Sequence, residues 1–179
     1  NSVSDEKMMS YVSREQELSF DSWKKIITAL KPYNPRISFG GGGEPFVRDD
    51  FIGILEYAIS QGFICGVTTN GTLLKNEGLK KIVEIGVESI CISLDGNKEN
   101  HDVERSVQGT FDKAVQTIKS LVALKKLKHA KRPFITINCI MSHLNQEYLY
   151  EFAEHLLAMG VDHITFSHLW FFDKDMMDE

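Results

Sequence analysis

No apolar run in the 179-residue chain approaches the ~18 residues a membrane-spanning helix needs, and its first residues do not read as a signal peptide. The expectation is a cytoplasmic protein with no membrane partner. An excess of positive charge is also lacking: 20 Lys and Arg face 25 Asp and Glu, for a formal net charge of -5. That balance disfavours a surface held mainly by phosphate contacts, so no nucleic-acid partner is expected. The one basic cluster, "KKLKHAKR" (Lys125–Arg132), falls where a helix should end and where cations complement the helix dipole. Cysteine is scarce. Cys65, Cys91 and Cys139 each lie in an apolar, strand-like run, and their wide spacing matches no metal motif. An odd count argues against a closed disulfide framework. The three read as buried thiols in a reducing compartment, with no metal ligand among them.

What is present is ordinary for a globular chain, with 42% hydrophobic and 25% charged residues. No linker, low-complexity stretch or composition break divides it, so one domain over residues 1–179 is expected. The apolar pattern switches repeatedly between two periods. "RISF" (Arg36–Phe39), "FICGVTT" (Phe63–Thr69), "ESICISL" (Glu88–Leu94), "FITINCIM" (Phe134–Met141) and "DHITFSH" (Asp162–His168) are short, β-branched or aromatic, and read as strands. Helical spacing fills the intervals: Phe20–Lys31, Asp49–Gln61, Glu77–Ile85, about Thr110–Lys128, and Gln146–Met159. Gly62, Gly86 and Gly160 stand just past three of these helices as stop signals. Alternating helices and strands call for a parallel sheet with helical crossovers. The chain opens on a helix and closes on "LWFFDKDMMDE", apolar residues with nothing after them to cover them. The expectation is a domain truncated at both ends, with a first strand missing.

In parallel α/β proteins, chemistry collects at the carboxyl ends of the strands. After the first strand come four consecutive glycines, Gly40 to Gly43, and Glu44. The second strand delivers Thr69, Asn70 and Gly71; the third, Ser93 and Asp95, with His101, Asp102 and Arg105 soon after. The fourth delivers Ser142, His143 and Asn145, and the fifth Ser167 and His168. Taken singly, "TNGT" and "SLDG" also suit plain turns, and His101 to Arg105 also suit a helix start with Asp102 near its positive end. The glycine run resists so plain an account. Four glycines are costly to order, and a phosphate cradle would be followed by Lys or Ser/Thr rather than by a carboxylate. Glu44 beside open backbone carbonyls suits an ammonium group instead.

Taken together, "GGGGEP", "TTNGTLL" and "ISLDG…HDVERSVQGTF" resemble successive βα units of a radical S-adenosylmethionine (SAM) enzyme, over about Leu18 to His168. The segment from His101 to Phe111 is similar to the peptide- and protein-modifying branch, often joined to a SPASM-type auxiliary-cluster domain. The resemblance implies a parallel α/β partial TIM barrel, (β/α)6-like, with the first strand and cluster loop absent from these residues. It implies that Gly42, Gly43 and Glu44 hold the α-amino group of the SAM methionine, with Asn70 in support. It implies that Ser93 and Asp95 reach the ribose or carboxylate, and that Arg105 pairs with the carboxylate, a group its guanidinium fork suits. Ser142 and Asn145 are expected to approach the cofactor, and His168 to face the adenine or substrate side. Asp95 is also a candidate for an acid–base role.

One departure is large. The family's CxxxCxxC loop, whose thiolates bind a [4Fe-4S] cluster, has no counterpart in the sequence. Truncation upstream of Asn1 would account for it. The function implied is a SAM-binding core that, with an upstream [4Fe-4S] cluster, generates a 5′-deoxyadenosyl radical for hydrogen abstraction from a peptide or protein substrate; the partner expected is a peptide or small-molecule substrate. Its electron donor would be a flavodoxin or ferredoxin. The alternatives are a cluster-less SAM- or peptide-binding module without radical chemistry, and a metabolic barrel enzyme with a phosphate site.

Overall fold

The computed structural model describes residues 17–168. Helix α1 (Phe20–Leu30) starts at Ser19, whose hydroxyl accepts the Ser22 N–H, and passes at Lys31 into a 3-10 turn containing Pro32. Helix α2 (Phe51–Ser60) buries Phe51, Ile54, Leu55 and Ala58, one stripe at helical spacing. Helix α3 (Asn76–Ile85) buries Leu79, Ile82 and Val83, and Gly86, at φ 76°, ends it in the left-handed conformation. Helices α4 (Lys98–Glu104), α5 (Thr110–Leu127) and α6 (Leu149–Met159) follow.

Between them run β1 (Ile37–Phe39), β2 (Cys65–Thr69), β3 (Ser89–Ser93), β4 (Phe134–Met141) and β5 (His163–His168). They form a five-stranded sheet in sequence order, every neighbouring pair parallel. Register aligns Phe39, Val67, Ile90 and Ile135 in one row, and Thr69, Ile92, Ile137 and Ile164 in the next. These rows pack against the helices as the core.

The alternate residues are not buried. Along β2 and β3 burial alternates strictly, and the uncovered face carries Ser38, Gly66, Thr68, Cys91, Ser93, Thr136 and Asn138. A sheet with helices on both faces would read as unbroken apolar runs. Among the described residues, helices cover one face only, so the sheet is the wall of a parallel α/β partial barrel with a polar, small-residue inner surface.

The expected elements are present with shifted ends. The second helix starts at Phe51 rather than Asp49, and the last is split into a 3-10 turn (Gln146–Tyr148) and α6. The segment from His101 is not the start of a helix but the second half of α4, a seven-residue helix opened by Asn97. The basic cluster is tied down by ion pairs: Lys125 with Asp162 (2.6 Å), Lys128 with Glu84 (2.7 Å) and Arg132 with Glu88 (2.6 Å). The closing run Leu169–Glu179 lies outside the described residues. Among the described residues, no helix is long and apolar enough to cross a membrane.

Candidate functional site

The glycine run follows β1, and its members have different reasons to be glycine. A Cβ on Gly40 would sit 2.7 Å from the Thr68 Cβ, so Gly40 lets β1 lie close to β2. Gly41 (φ +84°) and Gly42 (φ +66°) take the left-handed turn that side chains resist. Gly43 has neither constraint: its φ is ordinary, and a Cβ there would meet nothing within 4 Å. Nothing among the described residues requires glycine at that exposed position, whereas a ligand lying against the backbone would. A cleft of about 580 Å³ runs along the loop, lined by Trp23, Phe39, Phe51, residues 40–43 and Glu44.

Glu44 closes the run and is held firmly. Its Oε1 accepts from the Thr69 hydroxyl (2.7 Å) and the Phe46 N–H (3.2 Å), and its Oε2 from the Asn70 N–H (2.6 Å). With two acceptor sites per carboxylate oxygen, Oε2 keeps one free among the described residues. The ends of β1 and β2 are thereby joined through one fixed negative charge. Thr69 was placed on the rim by the sequence but given no role in the site; it is 3% exposed and also accepts the Gly71 N–H (3.0 Å). The signal was available, since a threonine at a strand end, before Asn-Gly, rarely faces the core without a polar partner. Asn70 serves through its main chain. Its Oδ1 accepts from the N–H (2.9 Å) and hydroxyl (2.8 Å) of Thr72, so the turn and the site are the same object.

The end of β3 carries a second charged cluster. Asp95 is 2% exposed; its Oδ1 accepts the Ile140 N–H (2.9 Å), its Oδ2 pairs with Arg105 Nη2 (2.6 Å), and its N–H donates to His101 Nδ1 (3.0 Å). Burial alone would raise its pKa, but the Ile140 N–H and the Arg105 guanidinium outweigh it and hold the carboxyl below its ordinary value. An acid–base role for Asp95 does not suit that geometry: a buried carboxylate with both oxygens engaged is an anchor, not a proton carrier. Arg105 is what it anchors. The guanidinium side chain is about one-third exposed, and its Nε is buried with no hydrogen-bond partner among the described residues. Ser93 lies on the inner face, in register with Asn138.

Asp102 has a different task. It accepts from the N–H groups of Gly109 (2.7 Å) and Phe111 (2.9 Å) and the hydroxyl of Thr110 (2.9 Å), fastening the start of α5. The Phe111 and Gly109 N–H bonds lower its pKa to about 2. It lies in the last turn of its own helix rather than the first.

Ser142 and Asn145, expected near a cofactor, are committed to their own loop. Ser142 Oγ accepts the Leu144 N–H (3.1 Å). Asn145 is fully buried; it donates to the Ile140 C=O (2.7 Å) and the Asp95 C=O (3.4 Å) and accepts the Ser142 N–H (2.9 Å). Asn145 thus braces Asp95 from behind. His168 pairs with Met141 and alternates onto the helix-facing side with Ile164. The inner face of β5 instead shows Ser167, whose hydroxyl donates to Asn138 Oδ1 (2.8 Å).

These groups suit a zwitterionic amino-acid moiety. The acceptor site left on Glu44 fits an ammonium, and the exposed part of the Arg105 guanidinium, on the same rim, fits a carboxylate. They do not suit an iron–sulfur cluster. Cys65, Cys91 and Cys139 stand on three different strands, and burial pushes the Cys65 thiol up to about 11 and Cys139 to about 12. No group of three metal-capable side chains occurs among the described residues.

The radical SAM superfamily matches residues 5–126. The chain is 31% identical, over 87% of its length, to the tungsten-containing aldehyde ferredoxin oxidoreductase cofactor-modifying protein of Pyrococcus furiosus. It is 33% identical over 84% of its length to the AdoMet-dependent heme synthase of Methanosarcina barkeri. It spans less than half of either relative, 44% and 42% respectively. Its fold matches that of Streptococcus suis SuiB, in crystal structures bound to S-adenosylmethionine (TM-score 0.73) and to the precursor peptide SuiA (TM-score 0.71). Sequence identity there is 16% and 17%, over 88% and 87% of this chain and 35% and 34% of SuiB. A parallel barrel wall, a glycine turn ending on a fixed glutamate and a family match over most of the chain lead to one conclusion: this chain belongs to the radical SAM superfamily, whose members use SAM and a [4Fe-4S] cluster.

Proposed function

We propose that the chain is the SAM-binding core of a radical SAM enzyme acting on a peptide or a similarly polar substrate. One observation carries this: the Glu44 carboxylate, fixed by Thr69 and Asn70, keeps an acceptor site beside the exposed turn Gly41–Gly43. Glu44 would take the methionine ammonium of SAM, with Gly42 and Gly43 letting the ligand lie against the main chain. Arg105, held by Asp95, would take the methionine carboxylate, and Ser93 offers a hydroxyl on the inner face. Asn70 supports through its N–H, and Asn145 through Asp95 and the Ile140 carbonyl. Bound SAM is the family's source of the 5′-deoxyadenosyl radical that takes a hydrogen atom from the substrate. The chain's residues do not fit the cluster, so their part is to bind and orient SAM.

The inner face supports the substrate class. Ser38, Thr68, Ser93, Thr136, Asn138 and Ser167 offer hydroxyl and amide groups, which match amide-rich ligands better than an apolar macrocycle. For the whole protein we propose a peptide partner and a one-electron donor of the flavodoxin or ferredoxin kind, in the cytoplasm.

Calorimetric titration with SAM tests the core of this. Glu44→Ala should weaken binding about 10- to 100-fold, the loss of one charge-assisted contact, with an unchanged circular dichroism spectrum. Equal affinity in the two proteins rules out the assigned role. The substrate class is tested by adding an iron porphyrin: no shift of its Soret band is expected, and a shift saturating at one equivalent would favour a tetrapyrrole.

A further inference from the structure

His101 has no role yet in binding, although it is 2% exposed and its ring is turned onto Asp95. We propose that His101 is a positioning residue: its unprotonated Nδ1 holds the Asp95 N–H, Asp95 holds Arg105 toward the anionic end of the ligand, and a proton on His101 loosens that anion site. This rests on the SAM-binding reading above.

The geometry allows two states of the ring. Nδ1 accepts from the Asp95 N–H at 3.0 Å, and a ring nitrogen that accepts carries no proton, so the imidazole is the neutral Nε2–H tautomer. The same Nδ1 lies 3.6 Å from Asp95 Oδ2, the oxygen that Arg105 Nη2 contacts at 2.6 Å. A proton on Nδ1 therefore does two things. It deprives a buried N–H of its acceptor, and it creates a charged donor that competes with Arg105 for Oδ2. Asp95 has little room to adjust, because Oδ1 is bound to the Ile140 N–H and its carbonyl to Asn145.

The other groups around the ring are known. Asp102 is the next residue on α4, but its carboxylate is engaged at the start of α5. Glu104 and Arg105 end the same helix; α5 presents the Phe111 ring, 6.1 Å away between centroids. β4 contributes Cys139, beside Asp95, Arg105 and Glu104.

The test is calorimetric titration of the full chain with SAM between pH 8.0 and 5.5. Wild-type affinity should fall about fivefold or more on acidification, in step with a histidine titration. His101→Gln keeps an amide oxygen for the Asp95 N–H but takes up no proton. It should bind within about twofold of wild type at pH 8.0 and lose nothing at pH 5.5. His101→Phe fills the space without an acceptor and should bind weakly at every pH. A wild-type affinity that stays flat or rises on acidification overturns the proposal, as does a His101→Gln profile parallel to wild type. A chain that binds no SAM at any pH overturns the functional reading instead. The imidazole is then read directly by long-range ¹⁵N NMR, which also serves if the variants do not fold: Nδ1 protonated at pH 8.0 defeats the positioning role, and an unprotonated Nδ1 that gains its proton by pH 5.5 upholds it.

Discussion

The hydroxyl of Thr69 donates to the carboxylate of Glu44 at 2.7 Å, across 25 positions of sequence. That bond closes the glycine turn onto the end of β2 and sets the direction in which Glu44 presents its charge. Thr69→Val removes the donor to Glu44 and the acceptor for the Gly71 N–H in a buried place. It should destabilise the fold by about 1–3 kcal/mol in urea unfolding and lower SAM affinity about tenfold. Thr69→Ser, which keeps the hydroxyl, should retain most of both.

Gly40 and Gly43 separate packing from ligand approach. Gly40→Ala drives a methyl group into Thr68 and should lose about 1–3 kcal/mol of stability, read from the denaturation midpoint. Gly43→Ala has open space, so its stability should stay within about 0.5 kcal/mol of wild type while SAM affinity drops about tenfold. Unchanged SAM affinity in Gly43→Ala would mean that the ligand does not lie against this turn.

Asp102 makes stability depend on pH in a known direction. Hydrogen bonds from Phe111 and Gly109 lower its folded pKa to about 2, below its ordinary value of 3.8. The contribution is therefore present above pH ~4 and is lost as pH falls from there through about 2. Melting temperatures of wild type and Asp102→Asn should differ most near neutral pH and converge toward pH 2. A constant difference would show that the charge is not what fastens α5.

The thiols should be inert while the chain is folded. Burial pushes Cys139 up to about 12 and Cys65 to about 11, and raises Cys91 as well. A disulfide reagent at pH 8 should label them slowly in the native protein and completely in urea. Rapid native labelling of Cys139 would mean that β4 opens readily.

The strands and helices were legible because burial on one face of a sheet or helix imposes a period that survives in the sequence. "CGVTT" and "SICIS" alternate as they do because one side meets helices and the other does not. The glycine turn with Glu44 was legible too, since four glycines before a carboxylate serve no regular element. The partners of the polar residues were not legible. Asp95 looked like a group for acid–base work and is a buried anchor for Arg105. Asn145 and Ser142 looked like ligand contacts and brace their own loop. His168 looked inward, but alternation along β5 turns Ser167 to the inner face instead.

What the sequence determined by itself was the order of elements, the parallel sheet and the rim on which polar residues gather, all set by local periodicity and by the chirality of strand–helix–strand connections. The tertiary structure decided which rim residues face outward and which hold others in place. That choice depends on register: Glu44 meets Thr69, and Asp95 meets His101, Arg105 and Ile140, only once separate strands end at the same height. A hydrogen bond only a few ångströms long, made between residues far apart in the chain, leaves no period in the sequence from which it could be read.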